Sequence, residues 1–562
     1  MRVKSHAVVT HVAGGPGMPE LGEKPDSGSG SRGTGRAAAG MGAATALSRG
    51  IGFIRILTIA AVLGTTYLGN AYQSSNAVSN ILFELLAAGA LSAVLVPTFT
   101  NLFARNERVE VERLAGALLG VALLVLGAVV IAGEILAPQI ARVLTSGISD
   151  PKTASAQQEL SVFLLRFILP QILLYAFGAV AVGDLYAQRR FIVPSLAPIA
   201  LTVVVVIGML LFRAQVGPGD PGLVLEASAR WTLGLTATLA VLAFVAMSCI
   251  AMLRSGVRPR IHIPRSEPVF NALLRLSGWA VFQHSAVGIL LGVTIVLGNA
   301  VEGGALAYQV AFVFFMAPYA VLAQPIHTTI LPEISLDAAN GDLVGFARAA
   351  RWAVDSMALL VLPVAAMMIA LAPPLMTAVA FGNATGAISV GLLATAVASL
   401  AVGLLPYAVF LFFARASYAL GDSRLPAIVA ITSALIAGTV MTIVAPYTQG
   451  NARIAVLGLG HTGAYVLASV WLAVALARRS RCSMVPLTVL RSLAVAVVVG
   501  ASIWLVSEAI DPRGRVACLA LVGGLSLIGV GAYALGVRLL GANITLNPRG
   551  WVGSPTIESA RR

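Results

Sequence analysis

Long apolar runs recur along this chain from about residue 43 to 537, separated by short polar gaps. They fall near 43–64, 80–103, 114–137, 160–186, 191–212, 231–253, 278–298, 305–331, 353–376, 386–414, 425–445, 454–477, 487–507 and 516–537. Each holds about 20 residues, enough to carry a helix across the hydrocarbon core of a bilayer. Only helices or closed barrels satisfy their backbone polar groups there, and these runs are too long and too evenly apolar for barrel strands. The pattern therefore predicts an all-α polytopic membrane protein of about fourteen transmembrane helices. Stretches 65–79, 299–304 and 377–387 read as loops.

Composition agrees with the pattern. Of 562 residues, 58% are hydrophobic and 11% charged, with a mean hydropathy of +0.90. A soluble domain has no use for so much apolar surface. Residues 1–40 are rich in Gly, Ser, Pro and charge, and lack the apolar core of a signal peptide. They are expected to be a disordered cytoplasmic tail. Met41, directly before the first apolar run, is a second candidate start of translation. Cys249, Cys482 and Cys518 are scattered, with no CxxC spacing. No disulfide framework, metal site or cofactor follows from them.

The formal net charge of +14 would fit nucleic acid or acidic lipid, but its distribution points to topology instead. An even number of spans puts both termini on one side. That side collects Arg105, Arg108, Arg113, Arg189, Arg190, Arg254, Arg258, Arg260, Arg265, Arg275, Arg348, Arg351, Arg415, Arg424, Arg478, Arg479, Arg481 and Arg491. The opposite loops hold only Arg142, Lys152, Arg213, Arg230, Arg453, Arg513 and Arg515. The positive-inside rule then predicts cytoplasmic termini and no nucleic-acid partner.

An internal repeat runs beneath the spans. TYLGNAYQ at 66–73 echoes GGALAYQ at 303–309, AVLVPTFTN at 93–101 echoes TTILPEIS at 328–335, and FILPQILLYAF at 167–177 echoes LLPYAVFLFF at 404–413. The order is kept, and so is the spacing: Pro97 and Pro170 are 73 residues apart, Pro332 and Pro406 are 74. Six spans separate the copies, so both insert the same way up, and parallel repeats build two lobes with a binding site between them. The expected organisation is a 1–40 tail, an N-terminal six-helix lobe at 41–255 and a C-terminal six-helix lobe at 256–482. An appended helix pair at 483–540 and a cytoplasmic tail at 541–562 complete it.

Charges inside apolar segments mark candidate chemistry, because ionisable groups at bilayer depth usually face a cavity or a partner. Arg49 and Arg55 lie in the first segment and Glu84 near the start of the second. Arg49 reads as cavity lining or as a side chain snorkelling to headgroups. Arg55 is further from the membrane edge and reads as cavity lining. The repeat offset of about 235 residues, the separation of Pro97 and Pro332, drops Arg49 onto His284 and Gln73 onto Gln309. These five residues, Arg49, Arg55, His284, Gln73 and Gln309, are the candidate cavity set. Glu84 reads equally as a coupling group or as an ion-pair partner of Arg55. Pro97, Pro170, Pro332 and Pro406 are candidate hinges or fixed kinks. Arg166 is expected at the membrane interface, and Arg415, Asp422 and Arg424 in an ion-paired corner.

Several motifs carry a family resemblance. SRxxGFxR at 48–55, the N-x-x-x-E-L-L-A-x-G-x-L-S-x-x-x-VP run from Asn80 to Pro97 and RASYALGDSRLP from Arg415 resemble the MurJ (MviN) family of the MOP superfamily. LPQILLYAFGAV from Leu169 and ILPEIS from Ile330 add weaker matches. The resemblance implies a V-shaped lipid II flippase of the bacterial inner membrane. Its partners would be a polyprenyl-pyrophosphate-linked glycan precursor, membrane lipids and cell-wall synthesis or division proteins. It also implies that the two appended helices form a groove for the lipid tail. Arg49 and Arg55 match the family's paired first-helix arginines. The family's acidic residue falls near Asn70, its basic residue at Phe83–Glu84 with the preceding proline at Ser79, and its eighth-helix arginine at Phe312–Val313. The resemblance leaves two further readings open: a non-transporting scaffold of wall synthesis, and a MATE-like ion-coupled antiporter. No catalytic grouping of side chains points to an enzyme.

Overall fold

A computed structural model describes residues 50–83, 89–263, 286 and 288–541. Arg49, Glu84 and His284, together with both predicted tails, lie outside the described residues. In chain order the helices are α1 (Gly50–Leu63), α2 (Tyr67–Phe83), α3 (Gly89–Ala104), α4 (Arg108–Thr145), α5 (Pro151–Ile168), α6 (Gln171–Ala187), α7 (Ile192–Val216) and α8 (Ala227–Arg254). Then come α9 (Gly288–Asn299), α10 (Gly304–Pro318), α11 (Gln324–Ala339), α12 (Leu343–Ala370), α13 (Ala372–Val379), α14 (Ala387–Ala401) and α15 (Leu404–Ala419). The series closes with α16 (Arg424–Val444), α17 (Gly450–Ser480), α18 (Leu487–Ile510) and α19 (Arg515–Leu539).

Among the described residues, 10 helices are long and apolar enough to cross a membrane, or 11 if the bent pair α14–α15 is one span. The shorter apolar helices include α1 and α9, each of which borders residues outside the description. The described residues thus reach eleven spans rather than the fourteen counted along the sequence.

The largest departure from the sequence reading is α2. The stretch 65–79 is a helix from Tyr67 onward, not a loop, and buries Leu68, Asn70, Ala71, Tyr72, Ser74, Ser75 and Ser79. Its Asn, Gln and Ser residues depress the hydropathy, but they face other protein rather than lipid. The 160–186 segment also begins earlier. Asp150 caps α5, accepting from Thr153 N at 2.9 Å, with Pro151 at the first helical position. Arg166 therefore lies about 22 Å along α5, at 1.5 Å per residue. Its side chain is exposed and lies near Glu134 of α4.

The four prolines fall in different settings. Pro170 occupies the break between α5 and α6, whereas Pro97 and Pro332 lie inside α3 and α11. Pro406 sits in the first turn of α15, where a missing N–H costs nothing. The 43° bend lies just before it, at Val402–Gly403. A π-helical turn, Tyr319–Ala323, interrupts the path from α10 to α11.

Helices α2–α8 pack chiefly on one another, α10–α17 do likewise, and α18 and α19 pack on α12 and α13. The two groups meet mainly where α2 crosses α10. Asn70, fully buried, donates to Val301 O at 2.8 Å and accepts from Ala305 N at 3.0 Å and Leu306 N at 3.4 Å. Residues 70 and 305 are 235 apart, the repeat offset itself. Ser74 bonds Asn299 Oδ1 at 3.0 Å, Thr65 bonds Ser389 at 2.5 Å, and Asn383 donates to Val62 O at 3.0 Å. Gly303, at φ +71°, starts α10 against Thr65, where a Cβ would collide with backbone. One end of the molecule is thereby sealed.

Removing the Asn70 side chain would strand the buried N–H groups of Ala305 and Leu306, while the Val301 carbonyl keeps its bond from Gly304 N. Asn70→Ala is expected to cost about 2–4 kcal/mol, read as earlier unfolding of the purified protein in denaturant. Wild-type stability would contradict this role.

Candidate functional site

Beneath the sealed end the two helix groups diverge around a cavity of about 480 Å³. Gln73 of α2 and Gln309 of α10 both line it, with Asn80, Tyr175, Phe244 and Phe312. Amides from both groups converge on one space walled by aromatic faces. Such a lining can hydrogen-bond a polar head group while its rings pack on the less polar parts.

Arg55 stands beside this space on α1. It is half-buried, and its nearest electrostatic neighbours are Tyr175, which lines the cavity, and Tyr72. No salt bridge reaches it among the described residues. Phe53, two residues before Arg55 in the same motif, packs edge-on against Phe314 of α10 at 4.6 Å, which holds α1 across the junction. A guanidinium in such a setting offers a fork of donors that matches phosphate oxygens. Arg49, His284 and Glu84, the remaining charged candidates, lie outside the described residues. Phe312, where the family resemblance placed an arginine, is a wall of the cavity instead.

A second chamber, of about 440 Å³, lies within α9–α17. Leu291 and Phe312 line both cavities and so partition them. Sequence reading passed over its polar core. His461, 3% exposed, has Nε2 within 2.8 Å of both Thr294 Oγ1 and the Tyr308 hydroxyl, and Nδ1 at 3.3 Å from the Tyr465 hydroxyl. The one available signal was an imidazole inside the apolar run 454–477. Arg415 also belongs here rather than in the expected corner with Asp422. Asp422 accepts from Leu425 N at 3.0 Å and pairs with Arg479 at 4.0 Å, leaving Arg415 to reach His327 Nδ1 at 3.4 Å.

An apolar groove of about 470 Å³ runs between α12 and α18, lined by residues such as Leu362, Ile369, Leu493, Val497 and Trp504. Near the sealed end, burial and the charge of Asp220 push the Glu302 carboxyl above its ordinary range. The described residues hold no cluster of three or more His, Cys, Asp or Glu able to bind a metal ion.

A sealed junction, an arginine beside the cleft-lining Tyr175 and a separate apolar groove now stand together. The family model described as Lipid II flippase MurJ matches residues 59–522. This chain belongs to the lipid II flippase MurJ family. Relatives include the probable lipid II flippase MurJ of Rhizobium tropici, 24% identical over 387 residues, covering 69% of this chain and 71% of that protein. The counterpart in Rickettsia prowazekii is 23% identical, covering 70% and 74%.

Among solved structures, a lipid II flippase MurJ in an inward closed conformation matches with a TM-score of 0.69 at 17% identity, over 89% of this chain and 98% of that one. An inward-facing MATE family multidrug resistance transporter of the MOP superfamily matches at 0.61 and 14%, over 76% and 95%. Both likenesses concern the fold alone.

A cleft closed at the α2–α10 junction predicts a simple labelling pattern. Cysteines placed at Gln73 and Gln309 should react with a membrane-impermeant thiol reagent from the arginine-rich face of the membrane. Little reaction is expected from the opposite face. Faster labelling from the opposite face would contradict the geometry.

Proposed function

We propose that this chain moves a polyprenyl-pyrophosphate-linked peptidoglycan precursor, lipid II, from the inner to the outer leaflet by alternating access. The observation that carries the reading is the cleft between the two helix groups. It is sealed at one end by Asn70 and bordered by an arginine free of carboxylate partners among the described residues. A pyrophosphate and its sugars cannot enter hydrocarbon, so a sheltered polar path with a phosphate-binding group answers the physical problem.

In this reading the arginine-rich loops and both termini lie in the cytoplasm of a bacterial cell, and the sealed end faces outward. The lobes are 41–255 and 256–482, with 483–540 appended. Arg49, Arg55 and His284 supply cationic or donor groups to the pyrophosphate, while Gln73 and Gln309 bond the sugars. Glu84 pairs with Arg55 when the cleft is empty, which lowers the cost of holding a buried cation. The apolar groove on α12 and α18 keeps the prenyl tail at the membrane while the head group crosses. Opening outward requires the Asn70, Ser74 and Thr65 bonds to break, and the break at Pro170 and bend at Val402–Gly403 are where each lobe can flex.

The test is depletion and rescue. Loss of the protein should lower exposure of lipid II at the outer leaflet, and wild type should restore it. Arg55→Ala and Arg49→Ala should restore it at least about tenfold more slowly, the scale of one charge-assisted hydrogen bond. Unchanged exposure on depletion would reject this substrate; full rescue by both variants would reject the cleft assignment.

A further inference from the structure

The side chamber has features that the proposed cycle does not use. Among the described residues its lining includes Arg415 but no carboxylate. Among the described residues Arg415 forms no salt bridge, and its recorded partner is an imidazole nitrogen. A guanidinium only donates, so Arg415 bonds His327 Nδ1 when the ring carries its proton on Nε2, which lies 3.2 Å from the sulfur of Met357. His327 is fully buried, so a neutral ring holds the arginine in place without neutralising it. A half-buried cation with no counter-charge among the described residues is costly unless an anion comes to it.

Two further observations point into the same space. Ser433 is 1% exposed, lines the chamber, and its hydroxyl has no hydrogen-bond partner among the described residues. A buried hydroxyl left in that state is an open position for a polar ligand atom. The π-helical turn at Tyr319–Ala323 brings Tyr319 and Gln324 onto the chamber wall, and π turns inside helices are frequent at functional sites. Around these groups stand the faces of Tyr407 and Tyr465, 4.9 Å apart. The Tyr465 and Tyr308 hydroxyls are already engaged with His461, so these rings present mainly their apolar faces.

We propose that this chamber is a second anion subsite, which takes a carboxylate of the substrate's peptide while the central cleft takes the pyrophosphate. The inference rests on the lipid II reading above. The pyrophosphate is tethered to the prenyl tail and stays near Arg55. A group that passes the Leu291–Phe312 partition is the far end of the head group, where the peptide carboxylates lie. Arg415 pairs with the carboxylate, Ser433 donates to it, and the tyrosine faces pack against the peptide backbone. A 440 Å³ space holds a few peptide units but not the whole head group. The consequence is selectivity: the protein would favour the completed precursor over the bare lipid pyrophosphate.

Full-length protein in lipid nanodiscs is titrated with lipid II, with lipid II whose peptide carboxylates are amidated, and with undecaprenyl pyrophosphate. Arg415→Gln should weaken lipid II binding about tenfold and leave undecaprenyl pyrophosphate binding unchanged. Amidation should weaken binding to wild type by a similar factor and add little to the loss in Arg415→Gln, because the two changes remove one interaction. The subsite is overturned if Arg415→Gln binds lipid II as wild type does. It is equally overturned if that variant loses both ligands alike, or if amidation costs the same on both proteins. The amidated ligand probes the site on wild-type protein, so a misfolded variant cannot hide the answer. Failure of wild type to bind lipid II at all would instead reject the proposed function and carry the subsite with it.

Discussion

A single buried amide joins the two halves of this molecule. Asn70 closes three hydrogen bonds with Val301, Ala305 and Leu306, and among the described residues no other side chain at the junction satisfies so much backbone at once. The Ala305 and Leu306 N–H groups would otherwise be stranded, so the closed end is held by satisfaction of polar groups as well as by apolar burial. The seal is incomplete in an informative way. The Ser75 hydroxyl, the Asn299 side-chain N–H group and the Gln157 side-chain oxygen have no partner among the described residues. A partly satisfied polar network is less stable than a complete one, which suits a junction that must open.

The seal fixes where the chemistry can happen. Because α2 and α10 cross tightly at Asn70, they diverge below it, and Gln73 and Gln309 are delivered to the same cavity from opposite sides. Positive charge is used sparingly there. Phe312 lines both spaces and serves as the partition between cleft and side chamber. Arg415 adds charge inside the second lobe instead. The distribution matches a head group whose negative charges are spread along its length.

Most of the helices were legible because lipid imposes a simple rule: a span needs a long apolar run, and its ends carry the arginines. The rule fails where protein replaces lipid as the surroundings. Helix α2 was read as a loop because its Asn, Ser and Gln residues look like solvent-facing ones, although Asn70, Ser74 and Ser75 are buried. The Gln73–Gln309 pairing was recoverable, since the repeat offset carries spatial information that hydropathy does not. His461, Ser433 and Arg415 were not recovered as a set, because they come from three helices with no common spacing. Arg415 was drawn toward its sequence neighbour Asp422, and only the three-dimensional pairing of Asp422 with Arg479 releases it.

Alternating access makes one demand that outweighs the rest: the sealed end must open for a head group to cross. Thr65 and Ser389 touch across that end with side-chain oxygens 2.5 Å apart, a separation suited to a disulfide after substitution by cysteine. In protein whose Cys249, Cys482 and Cys518 have been replaced by serine, Thr65→Cys with Ser389→Cys can lock the junction by oxidation. Lipid II translocation by this protein in liposomes should stop when the pair is oxidised and return on reduction. Translocation that continues through a fully oxidised lock would contradict the account.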